Sequence, residues 1–140
     1  MVYELSCGFV AYQECQGERL FLIIRSRNGE YGFPKGHMEN NETEYETAIR
    51  ELKEETNLEV HIMEGFRRQV AYRLPKKANT MKRSVYFLGK CTGDKIVCQE
   101  SEISQAMFVP MESALALLSF ENTKMVLKEA DAYLNSIDSV

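Results

Sequence analysis

Thr43-Glu44-Tyr45-Glu46-Thr47-Ala48-Ile49-Arg50-Glu51-Leu52-Lys53-Glu54-Glu55-Thr56-Asn57 predicts one helix capped at both ends. Thr43 and Glu46 match a capping box, in which a hydroxyl and a carboxylate each satisfy an orphan backbone donor. Asn57 suits the left-handed conformation that closes many helices. Tyr45, Ala48, Ile49 and Leu52 recur at i, i+3, i+4 and i+7, which predicts the buried face. Beside it, Glu44, Glu51, Glu54 and Glu55 project within a sector of about 100°, and Arg50 lies next to that sector. On many helices such acids are a solvated face. Packed at one rim of a core they repel each other, and the set then requires a compensating cation. Oxygen donors select a hard ion; Mg2+ fits best, with Mn2+ as the substitute.

The segment before the helix, Tyr31 to Asn41, carries Gly32, Pro34 and Gly36 and an Asn-Asn pair, and reads as a long ordered loop of the kind that usually serves function. Leu5–Tyr12 and Leu20–Arg25 read as strands joined by a turn near Gly17, and Asn28-Gly29 marks a second turn. Beyond the helix, Leu58–Met63, Phe66–Leu74, Ser84–Cys91 and Ala106–Val109 read as strands, with Pro75–Lys82 a basic hairpin tip. Met111–Leu118 and Thr123–Ile137 show helical spacing. The stripe Met125, Val126, Ala130, Tyr133, Leu134 and Ile137 is read as core packing.

The 140 residues fit one domain, 1–140, with no room for a second core. No stretch approaches the roughly 20 apolar residues of a membrane span, and Met1–Phe9 does not read as a signal peptide. The four cysteines are spaced too irregularly for a zinc knuckle; they are read as reduced, mostly buried thiols, and the chain as cytoplasmic. The net charge is only -4, but Arg67, Arg68, Arg73, Lys76, Lys77, Lys82 and Arg83 fall in one acid-free stretch while acids crowd Glu39–Glu59. That division suits a substrate bearing phosphates and a metal.

Gly36, Glu42 and then Arg50-Glu51-Leu52-Lys53-Glu54-Glu55-Thr56-Asn57-Leu58 resemble the Nudix box, G-x5-E-x7-R-E-U-x-E-E-x-G-U, where U is bulky and aliphatic. Asn57 replaces the last glycine of that pattern. The resemblance implies an α/β fold, a Nudix-type α/β/α sandwich with a mixed β-sheet between helices. It implies that Glu51, Glu54 and Glu55 bind Mg2+, helped by the main-chain carbonyl of Lys35 or Gly36. It further implies that Arg50 holds a carboxylate in place, with Glu54 at i+4 the expected partner, and that Glu42 braces the loop against the helix. Glu102, before the last predicted strand, is expected as a further metal ligand or as the base. A glutamate would take the proton of the attacking water, Glu51 ahead of Glu102.

Tyr31-Gly32-Phe33-Pro34-Lys35-Gly36-His37 resembles the corresponding string of asymmetrical diadenosine tetraphosphate (Ap4A) hydrolases within that family, which implies cleavage of Ap4A to ATP and AMP. Lys35, Gly36 and His37 would meet phosphates. Lys82 belongs to a string resembling the strand that carries an adenine-stacking tyrosine, and Tyr86 is the candidate stacker, although a core role suits it equally. The basic stretch would either cover distal phosphates or form a solvated hairpin. One alternative is a pyrophosphohydrolase acting on RNA 5′ ends or (deoxy)nucleoside triphosphates, although no aromatic-interleaved RNA motif accompanies the basic residues. Another is a Nudix-like sensor that binds a nucleotide without cutting it.

Overall fold

The computed structural model describes residues 2–92, 96–98 and 101–138. Ten elements follow in order: strands β1 (Val2–Cys15), β2 (Glu18–Ser26), β3 (Tyr31–Gly32) and β4 (Lys35–His37); helix α1 (Glu44–Thr56); strands β5 (Val60–Arg73), β6 (Thr80–Cys91) and β7 (Ile103–Pro110); helices α2 (Met111–Leu117) and α3 (Glu121–Asp138). The seven strands form one sheet in the order β3-β2-β1-β6-β5, with β4 also on β1 and β7 on β2. β1 and β6 run parallel and the other pairs antiparallel, so the sheet is mixed as expected.

Alternation along the central strands produces two cores. Cys7, Phe9, Ala11, Val85 and Phe87 face one side, where they pack with Ala48 and Leu52 of α1. Val10, Tyr12, Tyr86 and Leu88 face the other, where Ala114 of α2 and Val126, Leu127, Ala130 and Leu134 of α3 cover them. No helix of the described residues is long and apolar enough to cross a membrane.

Several expectations shift. The loop before the helix contains two short strands, because Lys35–His37 finds the open edge of β1 at Ser6–Gly8. The two strands expected between Leu58 and Leu74 are one, β5, whose register against β6 breaks between Ile62 and Arg67. There Tyr133 of α3 donates its hydroxyl proton to the Glu64 carbonyl at 2.6 Å. In α3, Val126, Ala130 and Leu134 are buried but Met125 and Ile137 are not. All four cysteines are free, yet only Cys7 is fully buried and Cys15 is exposed. Burial pushes the Cys7 thiol up to about 11, so it is an inert core residue.

Candidate active site

Helix α1 begins with the expected capping box. Thr43 Oγ1 accepts from the Glu46 amide at 3.1 Å, and Glu46 Oε1 accepts from the Thr43 amide at 2.8 Å. It ends on Asn57, which holds the left-handed conformation at φ 64° and donates its amide to the Lys53 carbonyl at 2.8 Å. The helix end is therefore that of a glycine-capped one, and the departure at Asn57 leaves Glu54 and Glu55 in place.

The buried face differs from the expected one. Ala48 and Leu52 are inside, but Tyr45 and Ile49 remain 37% and 44% exposed. Thr47, Glu55 and Thr56 are buried in their stead. The apolar spacing identified the helix but placed its contact face too far toward Tyr45, which lies flat against Phe87 at the rim with ring centroids 4.0 Å apart.

Arg50 holds the loop and the acids together. Its Nε and Nη2 donate to the two oxygens of Glu42 at 2.7 and 3.1 Å, Nη2 donates to the His37 carbonyl at 3.0 Å, and Nη1 donates to Glu51 at 2.9 Å and Glu54 at 3.2 Å. The expected Glu54 pair is present, but Glu42 is the principal partner. Glu42 also accepts from the Glu39 amide and the Thr47 hydroxyl, each at 2.9 Å, and so braces the loop as predicted. Gly36 is fixed by close approach: a Cβ there would come within 2.1 Å of the Glu51 carboxyl carbon.

Glu55 lies 4% exposed in the wall of a cleft, and its Oε2 has no hydrogen-bond partner. Burial pushes its carboxyl up to about 8, with the charges of Glu51 and Glu102 adding to the effect. Burial likewise raises Glu51, opposed by Arg50 and reinforced by Glu54 and Glu102. A buried carboxylate oxygen without a donor, surrounded by three more acids and the Lys35 main chain, fits a hard divalent cation. Among the described residues no three acid, histidine or cysteine side chains stand in ligand geometry, and Arg50 donates to both Glu51 and Glu54. Glu44 stands apart from the cluster: two hydrogen bonds of 2.9 Å tie it to Arg67, so its place in the acidic sector is corrected to a brace between α1 and β5.

The cleft holds about 730 Å³. Glu55 and Glu102 line it together with Lys35, Lys82 and Arg73, and Tyr31, Phe33, Tyr72 and Phe120 supply aromatic walls. Half-buried Lys82 is held below the usual lysine range by burial and then by Lys35, so the basic wall carries charge that an anion would relieve. Tyr86 also borders the cleft, but it is 1% exposed and meets Phe33 edge-on at 5.4 Å. With no open face to offer a base, it is corrected from stacker to core residue. Exposed His37 lines a separate groove with Glu4, Leu5, Met38 and Glu39–Glu42, near enough to Lys82, Lys77 and Lys35 for their charges to lower its pKa after burial does. Three of the seven residues of the basic stretch are occupied: Arg67 pairs with Glu44, Arg68 with Glu129 and Lys77 with Glu4. Tyr72 and Phe120 were not anticipated; Tyr72 lies two residues before a hairpin rich in lysine, and Phe120 just before a helix, positions that carry no local signal of a cleft.

The model of the NUDIX domain matches residues 4–129. The chain is 33% identical over 122 residues to the asymmetrical bis(5′-nucleosyl)-tetraphosphatase of Rattus norvegicus, covering 83% of this chain and 81% of that one. The enzyme of the same name from Sus scrofa is 31% identical over 123 residues, covering 84% and 82%. The fold superposes on the crystal structure of a C. elegans Ap4A hydrolase binary complex with a TM-score of 0.87 and 25% identity, covering 95% of this chain and 98% of the other.

Proposed function

We propose, given that the chain belongs to the Nudix family and is a Nudix pyrophosphohydrolase, that it hydrolyses a dinucleoside polyphosphate asymmetrically, Ap4A to ATP and AMP. One observation carries this reading. A single cleft has an acidic end at Glu55 and Glu102, a basic wall at Lys35, Lys82 and Arg73, and aromatic walls at Tyr31, Tyr72 and Phe120. Such a lining has groups suited to a metal-bound phosphate, a polyphosphate chain and a base. The likeness to tetraphosphatases covers most of both chains and supports the same substrate class.

Glu51, Glu54, Glu55, Glu102 and the Lys35 carbonyl would hold Mg2+, or Mn2+ in its place. The bound ion would neutralise phosphate oxygens and acidify water. The protein's own residues do the rest. Lys35 and Lys82 bind and align the phosphate chain; Tyr72 and Phe120 flank a base; Arg50 and Glu42 fix the acids. Water oxygen bonds to phosphorus as the bridging P–O bond breaks, the bridging oxygen leaves on the ATP or AMP fragment, and the water proton passes to a carboxylate. Glu102 opens on the cleft while Glu51 is packed against Gly36 and Arg50, so we assign the proton to Glu102 in preference to Glu51. The free thiols support a cytoplasmic setting.

Incubation of the purified protein with Ap4A, a capped RNA and deoxynucleoside triphosphates, with and without Mg2+, tests the reading. ATP and AMP from Ap4A, only with the metal, is the expected result. Preferential release from RNA 5′ ends would move the assignment to an RNA pyrophosphohydrolase, and binding without turnover of any of them would make the protein a sensor.

A further inference from the structure

We propose that Gly8 and Ser84 form a seat that aims the Lys35 ammonium into the cleft, which makes Ser84 a positioning residue for phosphate binding. The inference rests on the reading of the cleft given above and assigns to two sheet residues a task that the site itself does not reveal.

The strand register places Lys35, Gly8 and Tyr86 abreast on β4, β1 and β6, with Ser6 and Ser84 abreast on β1 and β6 beside them. Paired residues share a face of the sheet. Lys35 therefore lies across β1 to reach β6, and only a residue without a side chain lets it pass. A Cβ on Gly8 would come within 2.2 Å of the Pro34 carbonyl oxygen and 2.6 Å of the Lys35 Cβ. At the far side Lys35 Nζ donates to Ser84 Oγ at 3.2 Å. The rings of Tyr72 and Tyr86 flank the ammonium, with centroids 5.9 and 5.7 Å away.

Ser84 is completely buried in the middle of a central strand, where an aliphatic side chain would pack better. A buried hydroxyl costs stability unless it makes hydrogen bonds, and Ser84 bonds to the Lys35 ammonium and to the Tyr86 hydroxyl. Its neighbour Ser6 is also buried, and the Ser6 hydroxyl has no partner, so the floor beneath the lysine is polar across two strands. The alternative destination for the ammonium is Glu55 or Glu102 in the same cleft, where it would neutralise the acids that a cation needs. The ion pairs of the described residues do not include Lys35. Ser84 and the two rings hold it on the phosphate side.

The test is a double-mutant cycle with ATP as the probe, measured by calorimetry in EDTA so that neither metal nor turnover enters. Ser84→Ala is expected to weaken ATP binding about three- to tenfold, the size of one ordinary hydrogen bond. The KM for Ap4A should rise by the same factor while kcat changes little, and Ser84→Thr should restore both. In a Lys35→Met background Ser84→Ala should add nothing. Should Ser84→Ala fold poorly, Ser84→Val fills the space and carries the same expectation. Unchanged ATP binding in Ser84→Ala, or an equal loss in the Lys35→Met background, overturns the proposal. Unchanged binding in Lys35→Met alone instead removes the phosphate role of the cleft on which the proposal stands.

Discussion

Arg50 grips Glu42 with two parallel hydrogen bonds, from Nε at 2.7 Å and Nη2 at 3.1 Å, across the junction of loop and helix. The fork holds the Glu42 carboxyl down at about 2, with the Glu39 amide the next cause. Because the folded value lies below the ordinary 4.5, this contribution to stability is full above pH 4.5 and disappears as pH falls toward 2. Thermal melts of the metal-free protein between pH 5 and pH 2.5 should therefore fall more steeply for the wild type than for Glu42→Gln. Parallel curves would remove Glu42 from the acid response.

Glu55→Gln separates chemistry from stability. With an amide in that buried place the like-charge repulsion goes, and the metal-free protein near pH 8.5 should gain on the order of 1 kcal/mol, or roughly 3–5 °C in Tm. Turnover should fall by about a hundredfold. Glu54, half-exposed at its carboxylate, supplies the contrast: Glu54→Gln should lose comparable turnover without the gain in Tm. Calorimetric melts beside steady-state rates distinguish the two.

Tyr86 and Tyr72 should respond in opposite ways. Tyr86→Ala empties a core position and should cost about 3–5 kcal/mol of stability. Tyr72→Ala, at the cleft wall, should leave the melt nearly unchanged while raising KM about tenfold through a lost stacking contact. A stable Tyr86→Ala with a raised KM would return Tyr86 to the role of stacker.

At the helix end, Asn57→Ala should cost about 1 kcal/mol, the penalty of a Cβ without a local hydrogen-bonding side chain in the left-handed region. Asn57→Gly should match or slightly exceed the wild type in denaturant melts, with activity unchanged. A loss of activity in that glycine variant would show that the asparagine side chain has a task beyond the cap.

What the sequence made legible is what short-range chemistry decides. Thr43, Glu46 and Asn57 set the ends of α1 through contacts within a few residues, and the runs Leu5–Tyr12 and Ser84–Cys91 marked the strands β1 and β6. The spacing Gly36, Glu42, Arg50 located the acids because close approach and a single fork constrain those positions. Long-range pairing was out of reach. Glu44 turns to Arg67 on β5, Tyr86 is covered by helices from the far end of the chain, and His37 lines a different groove from Lys35 although one residue, Gly36, separates them. Tyr45 and Ile49 repeat the lesson on the helix itself: period identified an apolar stripe, but packing against the sheet covered only Ala48 and Leu52 of it.

Glu102 hangs from another part of the backbone than the remaining acids, since its carbonyl accepts from the Arg27 amide at 3.1 Å and the adjoining strand is hydrogen-bonded to β2. Glu51, Glu54 and Glu55 ride on α1, which packs on β1 and β6. An ion taken up between them would act as a rivet between α1 and the turn that leads into β7. Catalytic readiness and mechanical stiffness would then arrive together, and loss of the rivet would loosen the Glu102 turn before it disturbed the helix.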